Sequence, residues 1–209
     1  MNRYFITGTD TGCGKTYVSC RLLDFFNSSG SKAQALKPLA SGGFWQNGQL
    51  LNEDVQALQQ HNAKPEMNIS GWSYDLPIAP HLAANHYGDK ISAQAIADFC
   101  YQDTFCQFDQ LLIEGAGGLM VPLNNDETWL DFLKIRPIPV ILIVAMRLGC
   151  INHALLTASV LKAEGIECLG WVANILDPDM LFLSENMAYL KAKMPMSLMA
   201  TFPYNRLKG

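Results

Sequence analysis

No stretch of the chain reaches the roughly 18 consecutive apolar residues that a membrane-spanning helix needs. No block of basic residues occurs either. Fifteen Lys and Arg stand against nineteen Asp and Glu, a net charge of −4. That balance argues against nucleic acid or an anionic membrane as a main partner. The chain has no low-complexity tract, no internal repeat and no linker-like segment. Its six cysteines, Cys13, Cys20, Cys100, Cys106, Cys150 and Cys168, form no C-x-x-C pair. A chain of this size needs no disulfide framework, so they read as reduced thiols of a cytoplasmic protein. The first residues lead straight into a strand-like run, so no secretory signal is expected.

What is abundant is apolar: 49% of 209 residues, with only 16% charged. This predicts a single well-buried domain over residues 1–209. Strand-like runs recur at 4–7, 33–37, 110–114, 139–145, 168–174 and 197–201. Several are apolar throughout, as in VILIVA at 140–145, which marks strands covered on both faces of a parallel sheet. Helical patterns fill the intervals at 15–28, 92–101, 128–135, 151–164 and 179–193. The alternation predicts an α/β fold, a doubly wound and mostly parallel sheet flanked by helices. Residues 38–80 are irregular, with a short helix expected near 52–60.

The segment GTDTGCGKT joins the first strand to the first helix. It nearly matches the phosphate-loop spacing G-x-x-x-x-G-K-[ST], except that five residues separate Gly8 from Gly14. Glycine is common enough that the spacing alone means little. The strand–loop–helix context and the Lys15-Thr16 ending carry the reading. N–H groups at the helix start and the helix dipole favour an anion there. Lys15 can reach outer phosphates, and Thr16 can offer its hydroxyl to Mg²⁺. Within the helix, Val18, Leu22, Phe25 and Phe26 fall at helical spacing, and Gly30 stands where it should stop. Cys13 reads as a small loop residue, although a helix start can lower a thiol pKa.

Ligands of such sheets bind at the carboxyl ends of the strands, and polar groups gather at those ends here. Lys37 follows the second strand, and Ser41 lies in the glycine-rich segment beyond it. Glu114 stands at the tip of LLIE, followed by Gly115, Ala116, Gly117 and Gly118. Gly149, Cys150, Ile151 and Asn152 open a helix, and their N–H groups suit a carboxylate. Asn174 ends a later strand. Taken singly, each has a plain alternative. Lys37 reads as well as a surface lysine, Asp54 as a helix-start acid, Ser41 as a turn residue, and the 149–152 segment as an ordinary strand–helix turn. His81 reads as a cap, His153 as a packed helix residue, and the four tryptophans as core or interface aromatics.

Together, GTDTGCGKT, KPLASG, LLIEGAGGLMVPL, LGCINHALLT and GWVAN resemble the dethiobiotin synthetase family in order and spacing from residue 4 to 203. The family's loop carries the same five-residue spacing. The resemblance implies a P-loop NTPase type of fold and the penultimate step of biotin synthesis. There 7,8-diaminopelargonate, CO₂ (or bicarbonate) and ATP give dethiobiotin, ADP and phosphate with Mg²⁺. It implies catalytic roles for Thr11, Lys15, Lys37 and Ser41. Nucleotide contacts would come from Gly12, Cys13, Gly14, Lys15, Thr16, Tyr17, Asp54, Glu114, Gly115, Ala116 and Gly117. Asn174, Ile175, Pro203, Tyr204 and Asn205 would border the base. Mg²⁺ would be held by Thr16, Asp54 and Glu114. The substrate carboxylate would meet Gly149–Asn152 of the partner subunit, in a homodimer with its active site at the interface. Gly12 departs from relatives that carry an acid at this position, and many relatives continue beyond the position of Gly209. The rival reading is a dimer-switch ATPase of the partitioning or septum-positioning type. Those carry a further lysine early in the loop, where this chain has Thr9, Asp10 and Thr11. An amidating relative with a glutaminase domain would need a longer chain.

Overall fold

The computed structural model describes residues 1–204. The chain runs β1 (Asn2–Gly8), α1 (Lys15–Ser28), β2 (Ala33–Leu36), β3 (Leu39–Ala40), β4 (Phe44–Gln46), β5 (Gln49–Leu51), α2 (Glu53–His61) and β6 (Trp72–Ser73). It continues through α3 (Pro80–Tyr87), α4 (Ala93–Cys100), β7 (Gln110–Gly118), α5 (Trp129–Ile135), β8 (Val140–Met146), α6 (Cys150–Ala163), β9 (Cys168–Ile175), α7 (Leu183–Lys193) and β10 (Leu198–Phe202).

Six strands form one sheet in the order β10-β9-β8-β1-β7-β2, every neighbouring pair parallel. β1 lies between β7 and β8, where strand placement changes direction along the sheet. A doubly wound sheet opens its ligand crevice at such a switch point. The loop after β1 therefore sits where the topology leaves room.

Covering layers explain the apolar runs. Leu142 and Val144 of β8 and Trp171 of β9 pack with Ala154, Ala158 and Leu190 of α6 and α7. Ile141 and Ile143 turn to the larger core, which holds Phe5, Trp129 and Phe132. Phe5 lies 5.4 Å from Trp129 and 5.5 Å from Phe132, ring centre to ring centre. Every residue of β8 is buried.

Four expectations need correction. Glu114 is not a strand tip, since β7 continues through the glycines to Gly118. Glycines permit this extension, because a Cβ on Gly115 would fall 2.8 Å from Phe5 Cζ. Phe25 is 65% exposed, and the buried stripe of α1 runs through Val18, Ser19 and Leu23 instead. α3 was not anticipated. Pro80 begins it, Gly88 ends it at φ 74°, and His81 is its second residue rather than a cap. His153 lies exposed on α6, not packed. Of the tryptophans, Trp129 and Trp171 are fully buried, whereas Trp45 is 64% exposed. Among the described residues, no helix is long and apolar enough to cross a membrane.

Candidate active site

The loop from Thr9 to Gly14 leaves β1 and enters α1 through Gly14, at φ 86°. A side chain there would be strained, and its Cβ would fall 2.0 Å from Asn174 Nδ2. Gly8 is equally constrained, since a Cβ would lie 2.1 Å from Cys13 Sγ. Cys13 occupies the space Gly8 leaves and is fully buried as a small packing residue. No side chain caps α1. Its first N–H groups, which have no partner within the helix, are left for a ligand.

A cavity of about 330 Å³ opens over this helix start. Thr11, Gly12, Gly14, Lys15, Thr16 and Tyr17 line it from below; Lys37, Ser41, Asp54, Ala116 and Gly117 complete it. Four of the chain segments singled out from sequence thus converge on one space, namely the loop, the 37–41 segment, Asp54 and the glycines after Glu114.

Two features set its electrostatics. Lys15 is only 6% exposed, and its Nζ meets no carboxylate. Its partners are the Asp10 carbonyl at 3.3 Å and Cys13 Sγ at 3.8 Å. A buried cation without a counter-charge is costly, and an anion in the cavity would relieve it. Beside it lies an acid-rich cluster. Glu114 is fully buried, and its Oε1 accepts from Lys37 Nζ at 2.6 Å and from Thr16 Oγ1 at 2.7 Å. Its Oε2 accepts from Ser19 Oγ at 2.7 Å. Lys37 Nζ also reaches Asp54 Oδ2 at 2.9 Å. Two carboxylates thus share one ammonium, which leaves the cluster short of positive charge.

The shifts agree with this geometry. Burial alone would lower the Lys37 pKa, but Glu114 and Asp54 outweigh it and hold the group well above the lysine range. Burial would raise Asp54, but the Lys37 ammonium outweighs it and holds the carboxyl below its usual range. The Lys37 contribution to stability is therefore complete below the ordinary lysine pKa and lost only above the raised value. The Asp54 contribution is complete above the ordinary carboxylate pKa and lost as pH falls through the lowered one. Across neutral pH Lys37 and Asp54 both stay ionised.

A smaller cavity of about 150 Å³ adjoins the first through Gly14 and Tyr17. Asn174, Ile175, Leu176, Pro203 and Tyr204 form its other walls. Asn174 is buried, and its Nδ2 donates to the Cys13 carbonyl at 2.9 Å, which fixes the amide against the loop. Tyr17 packs edge-on to Phe202 at 5.7 Å. Asn205 lies outside the described residues. A third cavity, about 350 Å³, runs from Thr9–Thr11 to Leu119, Pro122 and the α6 residues Leu156, Thr157 and Val160.

The 149–152 segment stands apart. Gly149, at φ 93°, precedes α6, and no side chain caps the helix. The Cys150 N–H is already spent on the Arg147 carbonyl at 3.0 Å, so it is not a free donor as expected from sequence. None of the three cavities reaches these four residues. Gly115 is buried under the Phe5 ring and lines none of the three cavities. Sequence reasoning also missed Ser19, although it lies three residues from Thr16 on the same helix face. It missed the pairing of Asp10 with Arg147 at 2.6 Å, which no local spacing announces.

The chain is similar to known proteins along nearly its whole length. The family model described as an AAA domain matches residues 2–208. The ATP-dependent dethiobiotin synthetase BioD of Legionella pneumophila is 50% identical over 98% of this chain and 94% of its own length. The enzyme of that name from Alteromonas mediterranea is 42% identical over 98% and 93%. Among solved structures, a ParA family ATPase from Chlorobium tepidum superposes with a TM-score of 0.57 at 12% identity, covering 98% of this chain and 84% of that one. The septum site-determining protein MinD from Pyrococcus horikoshii, complexed with Mg-ADP, gives 0.56 at 17% identity over 98% and 82%. At such identities these two structures speak for the fold alone.

Proposed function

Because the chain belongs to the ATP-dependent dethiobiotin synthetases, a family of ligases in biotin synthesis, we propose that its loop cavity is where a phosphorylated carbamate of 7,8-diaminopelargonate is made and closed. One observation supports this above the others. Buried Lys15, which meets no carboxylate, and the Lys37–Asp54 pair line the same 330 Å³ space, with Glu114 bonded behind Lys37 and Thr16. Such a space calls for an anion and a cation together, as a nucleotide phosphate with its metal would supply.

The donor set fits magnesium. Mg²⁺ is commonly held by one or two carboxylates with waters and substrate phosphates. Thr16, Asp54 and Glu114 would hold it, and when bound it would neutralise charge on the outer phosphates. Ser19, bonded to the far oxygen of Glu114, fixes that carboxylate against Thr16 and Lys37, which line the cavity. The N–H groups of Gly12 to Tyr17 would cradle the inner phosphates. Asn174 Oδ1, its amide nitrogen already engaged, would accept from the base, with Ile175, Pro203 and Tyr204 as walls.

One amine of the substrate takes up CO₂ as a carbamate, held by Thr11 and Ser41. A carbamate oxygen attacks the γ-phosphorus, and ADP leaves. Lys15 and Lys37 would offset the charge gathered on the transferring group. The second amine then attacks the carbamoyl carbon, phosphate departs with the C–O bond electrons, and the ring closes as a urea.

The other end of the substrate calls for a second copy of the chain. A long apolar chain carries the carboxylate away from the phosphates, and the α6 start does not reach the cavity within one protomer. The N–H groups of Ile151 and Asn152, with the Gly149 turn, would receive it from the partner. Leu148 is 94% exposed, Leu156 59% and Met120 56%, an apolar surface around α6 suited to a homodimer. The free thiols fit a cytoplasmic setting.

Phosphate release tests the reading. It should require both Mg²⁺ and the diamine, because the carbamate is the nucleophile. Steady release without the diamine, unchanged on adding it, would point instead to a switch ATPase.

A further inference from the structure

Asp10 and Arg147 join the phosphate loop to the strand beside it. One Asp10 carboxylate oxygen accepts the Thr11 N–H at 2.7 Å, and the other accepts from Arg147 Nη2 at 2.6 Å. The Asp10 carbonyl accepts from Lys15 Nζ at 3.3 Å. One residue thus holds both Thr11 and Lys15, and both line the 330 Å³ cavity. Arg147 is the first residue beyond β8, and its carbonyl accepts the Cys150 N–H that closes the turn into α6. The same strand anchors Thr9, whose N–H donates to the Ile143 carbonyl at 2.9 Å. The backbone of Arg147 therefore shapes one turn while its side chain clamps the neighbouring loop.

Both partners are 43% exposed. An ion pair this open contributes little to stability, because water screens it and two side chains lose freedom. Its consequence lies in placement. Without the guanidinium, the Asp10 carboxylate is tied only to the neighbouring Thr11 N–H, and the loop loses its hold on β8 at this point. A shift of the loop there moves the Asp10 carbonyl, the acceptor that aims Lys15.

We propose that Arg147 is a positioning residue for the outer phosphate, acting through Asp10 on Thr11 and Lys15. The inference rests on the nucleotide reading above. It separates the two ends of the phosphate chain. The inner phosphates depend on the α1 N–H groups, which Arg147 does not touch. The outer phosphate depends on the residues that Asp10 holds.

The test compares Arg147→Ala, Arg147→Lys and Asp10→Asn with the wild type. Calorimetry measures Mg-ADP and a non-hydrolysable Mg-ATP analogue, and turnover is followed with diaminopelargonate. Arg147→Ala should bind the triphosphate analogue several-fold more weakly and bind ADP nearly as before. Its kcat should fall by about tenfold, the scale of a small misplacement of reacting groups. Its melting temperature should be unchanged. Arg147→Lys, which keeps one charged donor, should recover part of the loss. Asp10→Asn should reproduce the Ala pattern, and the double variant should be little worse than either single one. Equal weakening of both nucleotides would show a pair that only stiffens the loop, and wild-type behaviour would show an idle surface pair. Either result overturns the inference. A wild type that binds nucleotide but forms no dethiobiotin would sink the proposed reaction, while the two-nucleotide comparison would still decide the part played by Arg147.

Discussion

Lys15→Ala is expected to lower turnover by about 10²–10³-fold, the loss found on removing one preorganised donor to a developing anion. The same change should leave the fold intact. Lys15 is held only by a carbonyl and a thiol sulfur, so its removal strands no buried carboxylate. It takes away an unpaired buried charge, which favours the folded state slightly. Loss of rate without loss of melting temperature is the signature, read from steady-state kinetics beside a thermal melt. A variant with near-normal turnover would place the phosphates elsewhere.

Glu114→Gln should act in the opposite manner, on stability and activity together. Glu114 is fully buried and accepts from Lys37, Thr16 and Ser19. The amide leaves Lys37 buried with only Asp54, whose side chain is 48% exposed. Breaking a buried pair in this way costs about 3–5 kcal/mol. For a chain of this length each kcal/mol moves the melting temperature by roughly 2–4 °C, so a drop of about 6–20 °C is expected. Adding Lys37→Met to Glu114→Gln removes the stranded charge. The double variant should regain much of the lost stability and none of the activity. Melts of the three proteins separate the roles. A single Glu114→Gln variant as stable as wild type would show that the Lys37–Glu114 contact does not hold this region together.

The elements most legible in sequence were those whose burial leaves a plain pattern. VILIVA reads as a two-face-buried strand, and β8 is buried at every residue. The helix at 15–28 matches α1 from end to end, because a glycine loop opens it and Gly30, at φ 88°, closes it. Less legible were elements set by neighbours far along the chain. GAGG looks like a turn, yet β7 runs on through it to Gly118, with an irregularity at Gly117, φ 64°, and with Gly115 leaving room for Phe5. α3 is short and its buried stripe is only Pro80, Ala83 and Ala84, too small to stand out, so Pro80 and Gly88 at its ends are the plainer signals. The irregular 38–80 region hides a β4–β5 hairpin, whose Asn47-Gly48 turn, with φ of 52° and 76°, is a local signal that can be read.

The site shows the same division. Loop spacing pointed to Lys15 and Thr16, strand-end position to Lys37 and Glu114, and the family resemblance to Asp54. They did not reveal that Lys37 is bonded to both acids, since 77 residues separate it from Glu114. Nor could they reveal the Asp10–Arg147 pair, 137 residues apart, or the use of the Cys150 N–H within its own turn. The first contact depends on β2 lying beside β7 and the second on β8 lying beside β1, whereas the third is set by the geometry of its own turn.

The most direct measurement supplies ¹³C-bicarbonate, 7,8-diaminopelargonate and Mg-ATP to the purified protein and follows the product by mass spectrometry. The account predicts dethiobiotin carrying one ¹³C at its ureido carbon, with one phosphate released per ring closed. Hydrolysis of ATP with no labelled dethiobiotin would contradict it.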